Sequence, residues 1–146
     1  MVVPGETPEG ETCYEVVEFV DFYPTLADLC GLTGTPEDLE GISFRALLSD
    51  PALPWKEAGY IQVKRGDIFG RAVHTQRWRY VEWDEGRRGI ELYDHEIDPS
   101  EYFNLAGNPE YADQIAYLKD LLHNGQNRLR QVESTPVDSS SEGRSR

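Results

Sequence analysis

The side chains best suited to acid–base chemistry in this sequence are three histidines, His74, His95 and His123. An unperturbed imidazole titrates near neutral pH, so a histidine can hold or release a proton under physiological conditions. Nucleophilic catalysis would need a serine or cysteine on a constrained turn beside one of them, and no such motif surrounds these positions. We therefore expect structural hydrogen bonds for His74 and His95. For His123 we expect a favourable place at the C-terminal end of a helix.

Three acids, Asp94, Glu96 and Asp98, alternate along the chain, so their carboxylates could share a direction and hold a hard cation. Such a site usually needs at least about five oxygen ligands, and the rest of a calcium loop is absent from this segment. The spacing favours a turn instead, in which Asp98 and Glu101 form a capping box around Pro99.

Two cysteines, Cys13 and Cys30, lack the CxxC-like spacing of a zinc site. Because Cys30 falls on the apolar side of a predicted helix, we expect it to be a buried free thiol. A single bridge between the two cysteines stays open as an alternative.

The chain is acidic overall and basic in one segment. Its formal net charge of −13 argues against general binding to nucleic acid, since phosphates are held by clustered Lys and Arg. Half of its 14 Lys and Arg side chains nevertheless lie in residues 64–88, beside Trp78 and Trp83. Two interpretations stay open: an anion-facing patch, or a sheet whose long cationic side chains cover its own aromatic rings.

No apolar run approaches the roughly 20 residues that span a bilayer, which predicts no membrane segment. The N-terminus, MVVPGETPEGETC, has neither the basic start nor the apolar stretch of a secretory signal. It begins as though cut from a longer chain, because Val2 and Val3 resemble the end of a buried strand.

Hydrophobic periodicity predicts an α+β fold. A short helix over 22–30 is expected to follow Asp21 as its N-cap, and a second short helix is expected over 43–49. Four strands, over 58–63, 69–75, 78–83 and 90–94, predict a small antiparallel sheet. Asn108 and Pro109 open the longest helix, which would cover one face of that sheet with an apolar stripe. The stripe consists of Tyr111, Ile115, Leu118 and Leu122. Residues 132–146 have almost nothing to bury and are expected to be disordered.

Three stretches are specific enough to suggest a family: VEFVDFYPTLADLCGL (17–32), GRAVHTQRWRYVEWD (70–84) and ELYDHEIDPSEYFNL (91–105). In this order they closely resemble the C-terminal part of sulfatases of the alkaline-phosphatase superfamily, with iduronate-2-sulfatase-like members nearest. The resemblance covers roughly residues 2–122. It implies that residues 1–50 are the end of a large α/β domain and that residues 51–131 form the smaller C-terminal subdomain.

The resemblance also implies a chemistry that this sequence does not itself carry. Sulfatases hydrolyse sulfate esters with a formylglycine made from a C/S-x-P-x-R motif, beside a calcium ion. Neither Cys13 nor Cys30 begins that motif. We therefore expect no catalytic residue, metal ligand or cofactor in this chain, and expect those groups in a missing N-terminal sulfatase region. A periplasmic or extracellular location would follow if the parent enzyme is exported.

In such enzymes the small subdomain forms one wall of the substrate cleft. The resemblance points to Gln62 as a substrate contact, although Ile61 replaces the usual serine before it. His74 and Arg77 are further candidates, since an arginine fork can bind a carboxylate or a sulfate. The expected substrate is a sulfated glycan or another sulfate ester. A stand-alone module that binds anionic glycans and a truncated product without function remain alternatives.

Overall fold

Four consecutive strands form one antiparallel sheet in the order of their sequence. They are β1 (Gly59–Arg65), β2 (Ile68–His74), β3 (Trp78–Trp83) and β4 (Ile90–Asp94). Helices α1 (Phe22–Leu29) and α2 (Arg45–Ser49) precede the sheet, and α3 (Ala112–Glu133) follows it. Short 3-10 helices, Phe19–Asp21 and Pro109–Tyr111, lead into α1 and α3. The computed structural model describes residues 1–133.

Side chains alternate between the two faces of the sheet, and the pairing register decides which residues share a face. One face lies against α3 and is called the helix face. It is defined by a row of paired residues, one from each strand: Tyr60, Val73, Tyr80 and Leu92. The other side is called the open face. It carries, among others, His74, Arg79, Val81, Trp83 and Tyr93.

Helix α3 covers the helix face with apolar side chains. Leu118, Leu121 and Leu122 are buried in one cluster with the central residues of that face. Burying a side chain of this size contributes about 1.5–3 kcal/mol. The helix begins where Asn108 accepts a hydrogen bond from the Glu110 N–H at 3.1 Å. The predicted α+β class, with a four-stranded antiparallel sheet covered by a C-terminal helix, is confirmed.

A second apolar cluster lies in the N-terminal part of the chain. Phe44, Leu47 and Leu48 are buried there, and Phe22 and Trp55 are among the partly buried residues packed on them. If the chain is a truncated product, exposed side chains are expected at Leu26, Leu29, Leu47 and Leu48. That holds for Leu26, which is 49% exposed, and is wrong for Leu47 and Leu48, which residues of the same chain cover.

Asp21 is the buried link between the N-terminal segment and the sheet. Its carboxylate accepts hydrogen bonds from the backbone N–H groups of Glu18 at 2.7 Å and Ile42 at 3.0 Å. Lys56 Nζ lies 2.6 Å from Asp21 Oδ2 and 2.7 Å from Glu18 Oε2. The other Glu18 oxygen accepts from the N–H of Tyr60 in β1. Asp21 is the N-cap residue of α1 as predicted, but its side chain makes no capping bond to that helix.

The segment around Asp21 also packs tightly against residues 41–44. Thr25 Oγ1 donates to the Asp21 carbonyl at 2.6 Å and accepts from the Phe44 N–H at 2.9 Å. A Cβ atom on Gly41 would lie 2.1 Å from the carbonyl oxygen of Val20, far inside van der Waals contact. Only glycine fits at position 41 without a backbone shift.

The predictions for the capping box and for Cys30 are wrong. The predicted turn is present, since the Glu101 N–H donates to the Asp98 carbonyl at 3.1 Å, but the side chains do not form the box: the Asp98 carboxylate accepts from the Phe103 N–H at 2.9 Å. Glu101 has a left-handed φ of 57°, which is incompatible with a place in a first helical turn. Cys30 is exposed, because α1 buries Thr25 and Ala27 instead, and both cysteines are free thiols.

The predicted tail, 132–146, lies outside the described residues except for its first two positions, which belong to α3. Within residues 1–133, no helix combines the length and the apolar character that a bilayer crossing requires.

Substituting Lys56→Met removes the cation beside Asp21 and Glu18 and leaves the buried Asp21 carboxylate without a counter-charge. We expect a loss of about 3–5 kcal/mol in the free energy of unfolding, measured by urea denaturation with tryptophan fluorescence. The matched control is Lys64→Met, an exposed lysine of β1 whose Nζ lies 5.2 Å from the centre of the Phe69 ring. It should cost less than about 1 kcal/mol. Equal losses in the two variants would contradict this role of Lys56.

Candidate functional site

The three residues predicted to contact a substrate do not lie together. Gln62 is exposed on β1 and pairs with Arg71 on the side of the helix face. His74 ends β2 on the open face, and Arg77 lies in the turn between β2 and β3. The sheet itself therefore separates Gln62 from His74. Their roles in substrate binding stay predictions.

Arg77 is occupied by partners of its own chain. Its Nε and Nη2 atoms donate to the two oxygens of Asp94 at 2.9 and 2.6 Å, and Nη1 lies 2.7 Å from Glu96. The guanidinium also lies over the Trp78 ring, 4.8 Å from its centre. The hydrogen bond from Arg77 holds the pKa of Asp94 below its ordinary value despite burial. These contacts use the donors that an anionic ligand would need.

His74 is the first member of a hydrogen-bonded chain on the open face. Its Nε2 lies 3.1 Å from Nδ1 of His95, and Nε2 of His95 lies 2.8 Å from Oε1 of Glu101. With Glu101 ionised and both rings neutral, His95 donates from Nε2 and accepts at Nδ1. His74 then donates from Nε2 and keeps a lone pair on Nδ1. The expected structural hydrogen bonds of His74 and His95 are those of this chain.

The left-handed turn at Glu101 lets one carboxylate serve two partners. Its second oxygen, Oε2, lies 2.9 Å from Nη1 of Arg79, the residue paired with His74 across the hairpin. Burial is the main cause that lowers the pKa of His74, followed by the nearby His95 and Arg79. At neutral pH His74 is therefore uncharged. Its Nδ1 atom has no hydrogen bond within the described part of the chain, so it can accept one from a ligand hydroxyl.

The polar contacts of the open face continue along the sheet. Tyr93 donates to Oε2 of Glu91 at 3.0 Å, and Nε1 of Trp83 donates to Oε1 at 2.8 Å. Trp83 packs so closely on Gly70 that a Cβ atom there would lie 2.7 Å from its ring. Burial is the main cause that raises the pKa of Tyr93, so its hydroxyl stays protonated.

At the far end of the open face, two arginines line an open pocket of about 530 Å³. Arg65 and Arg88 form its rim, and Ile68 and Trp83 supply its apolar lining. The guanidinium of Arg65 lies over the Trp83 ring, 5.2 Å from its centre. The pocket is thus basic and apolar at the same time.

The third histidine is an exposed residue of α3 that reaches a buried carboxylate of the sheet. The helix continues to Glu133, so the prediction that His123 lies at a helix C-terminus is wrong. Its Nε2 lies 2.9 Å from the buried carboxylate of Glu82, which also accepts from the Tyr80 hydroxyl at 2.9 Å. Arg71 Nη2 lies 3.5 Å from His123 Nδ1. These contacts hold α3 on the sheet.

Possible metal ligands do not cluster in the described part of the chain. In residues 1–133, no group of three His, Cys, Asp or Glu side chains is arranged to hold a metal ion. Asp94, the first of the three alternating acids, instead binds Arg77. Within the described residues, the three alternating acids therefore do not form a cation site.

The sequence did not indicate that Arg79, His95 and Glu101 lie together with His74. Arg79 could have been found, because a tight turn between the predicted strands sets it opposite His74. His95 and Glu101 could not, since their contact depends on the left-handed turn at Glu101 and on loops that return to β4.

Comparison with known proteins defines the class as sulfatases. An arylsulfatase of Clostridium perfringens is 28% identical over 114 residues, which cover 78% of this chain and 23% of the relative. A Δ4,5-hexuronate-2-O-sulfatase of Bacteroides thetaiotaomicron is 35% identical over 113 residues, 70% of this chain and 22% of the relative. A protein solved in complex with its substrate D-glucosamine-2-N,6-O-disulfate superimposes with a TM-score of 0.65 and 25% identity, over 82% of this chain and 25% of that protein.

The profile described as N-sulphoglucosamine sulphohydrolase, C-terminal, matches residues 1–128. The chain belongs to this family, and the predicted resemblance to the C-terminal part of sulfatases is confirmed. It spans about a quarter of the length of the relatives it matches.

The lowered pKa of His74 predicts a pH-dependent stability. As the pH falls below the ordinary histidine value near 6.5, the unfolded chain binds a proton before folded His74 does, so stability present at higher pH is lost. We expect the unfolding free energy of the wild type to decrease more between pH 7.5 and pH 5 than that of His74→Gln. Urea titrations at several pH values measure this difference. Parallel curves, together with an NMR-determined pKa of His74 at or above 6.5, would contradict the prediction.

Proposed function

We propose that this chain is the C-terminal subdomain of a sulfuric-ester hydrolase and that its open face forms one wall of the substrate cleft. The observation that carries the proposal is the chain of His74, His95 and Glu101, which leaves Nδ1 of a neutral histidine without a partner among the described residues. A buried carboxylate-linked imidazole is well suited to accept a hydrogen bond from a sugar hydroxyl. In this role His74 orients the substrate and takes no part in cleaving the ester.

The reacting groups would come from the sulfatase region that precedes the counterpart of this chain in its relatives. That region would supply the formylglycine and the calcium ion, which polarises the sulfate ester when bound. Two features support this division. The described residues offer no metal-binding cluster, and neither cysteine begins a C/S-x-P-x-R motif.

The substrate class we favour is a sulfated sugar. The names of two relatives, a hexuronate-2-O-sulfatase and a protein bound to a glucosamine disulfate, support this choice. The open face has the mixed chemistry that such a ligand needs. It offers an acceptor at His74, aromatic surface at Trp83 and Tyr93, and guanidinium groups at its far end.

A second function is favoured by one specific observation. Arg65 has no hydrogen bond or ion pair among the described residues, and Arg88 has only a 3.7 Å contact between Nε and Asp84. A stand-alone module that binds anionic glycans would present guanidinium groups in this way. Arg77 and Arg79, two other arginines of the basic segment, are paired with carboxylates instead.

The pure chain should not hydrolyse an aryl sulfate such as 4-methylumbelliferyl sulfate, with or without added calcium, because neither cysteine begins a formylglycine motif and the described residues offer no metal-binding cluster. Release of the fluorescent product is measured against a full-length sulfatase. Turnover that co-purifies with the chain and survives further chromatography would overturn the proposed division of labour.

The cleft wall is tested in a chimera in which this chain replaces the matching C-terminal quarter of the hexuronate-2-O-sulfatase. We expect His74→Gln to lower kcat/KM for a sulfated sugar by about 10- to 100-fold, mainly through KM, because an oriented hydrogen bond to the ligand is lost. Gln62→Ala, on the other side of the sheet, should change it less than about threefold. The reverse pattern would put the cleft on the helix face and refute the assignment of the open face.

A further inference from the structure

The fold does not explain why a pocket lies between Arg65 and Arg88. Its volume of about 530 Å³ is in the range of small-ligand pockets. Ile68 and Trp83 line it with apolar surface, while two guanidinium groups approach from the rim. It lies at the end of the open face formed by the β1–β2 hairpin and the β3–β4 loop.

Internal pairing distinguishes Arg65 from the other arginines nearby, and Arg88 makes only a 3.7 Å contact with Asp84. Arg77 donates to Asp94 and Glu96, and Arg87 donates to Asp84 at 2.9 Å. A structural arginine in this protein therefore binds carboxylates of its own chain. Arg65 has no such partner among the described side chains, although it could have served as a plain surface residue.

Trp83 fixes Arg65 in place for an anion. The ring holds the guanidinium by a cation–π contact at 5.2 Å and is itself anchored by its Nε1 bond to Glu91 and by its packing on Gly70. An arginine whose plane is already oriented loses less entropy when its donors bind a ligand. The N–H donors of Arg65 remain available because no hydrogen bond or ion pair within the described residues uses them.

The acidic groups near the pocket leave it basic. Asp84 lies 2.9 Å from Arg87 and 3.7 Å from Arg88, and Glu85 lies 3.4 Å from Arg87. Arg87 makes the shorter ion pairs with these two acids and so neutralises most of their charge. Asp67, in the β1–β2 turn, has no ion pair with either rim arginine within the described residues.

We propose that Arg65, Trp83 and Arg88 form a subsite for a sulfated sugar unit. A sulfate oxygen pair accepts hydrogen bonds from the two guanidinium groups, and the C–H surface of the sugar ring packs on Trp83 and Ile68. The site is separate from His74, because six residues of β2 at about 3.3 Å each span roughly 20 Å. That distance suits a longer sulfated glycan that contacts both ends of the open face. The choice of ligand class rests on the proposed function.

Binding is measured on the isolated chain at about 0.15 M salt, by titration with D-glucosamine-2-N,6-O-disulfate followed through the indole N–H signal of Trp83 in NMR spectra. We expect saturable binding that Arg65→Ala and Arg88→Ala each weaken about tenfold or more. The matched control is Arg71→Ala, which removes the same charge from the helix face of the sheet and should change affinity less than about twofold. Both rim arginines are exposed, so circular dichroism should confirm that the variants fold.

Two further ligands test the chemistry of the subsite. N-acetylglucosamine lacks the anion and sodium sulfate lacks the ring, so both should bind at least about tenfold more weakly than the disulfated sugar. Sulfate alone binding as tightly as the sugar would overturn the proposal, as would equal weakening by all three arginine variants or no saturation up to about 10 mM. None of these results depends on turnover. If the sugar does not bind, the sulfatase assignment still stands. If the chimera does not show the expected effect, a measured binding constant for the sugar still stands.

Discussion

The structure depends first on the buried carboxylate of Asp21. It accepts backbone hydrogen bonds from Glu18 and Ile42 and pairs with Lys56, whose side chain is only 4% exposed. Glu18 completes the link by accepting from Tyr60 at the start of β1. Three separate stretches of chain thus meet at one charged group. A buried charge is tolerated only when it is fully paired, so these stretches must assemble together. The first residues of the sheet, and hence the orientation of β1, follow from this arrangement.

The two faces of the sheet differ: the helix face packs against α3, and the open face is the one that we propose for ligand binding. Its helix face is closed by leucines of α3 and by the contact between Glu82 and His123, and little of it is left for a ligand. Its open face carries partly buried polar groups that are bonded to one another in rows. Such rows fix the position of each side chain, because a displaced partner leaves a desolvated group without its hydrogen bond. The face without α3 is therefore rigid as well as polar, which is the condition that a recognition surface has to meet.

Much of the fold could be predicted from the sequence because its signals are local. The bounds of β3 and β4 agree with prediction, and the start of the C-terminal helix follows from Asn108 and Pro109. The failures came where two local signals competed or where a partner was distant in sequence. Asp98 and Glu101 fit a capping box by spacing, yet Glu101 is held by His95 and Arg79, which no spacing rule connects to it. The position of the candidate substrate contacts shows the same limit, since the register of the strands places Gln62 and His74 on opposite faces of the sheet.

The charged residues show the same limit. The sequence gives their positions but not their partners, which only the structure supplies. The sequence indicates a basic segment over residues 64–88 and leaves open whether its cations face a ligand or cover the sheet. The structure places these cations in two different environments. Arg77 and Arg79 are neutralised by Asp94 and Glu101, which belong to or follow β4 and reach them only in the folded chain. Arg65 lies on β1, the edge strand farthest from β4, so no carboxylate of that strand can reach it, and its guanidinium rests on Trp83 instead. The strand order therefore decides which cations remain available to an anion.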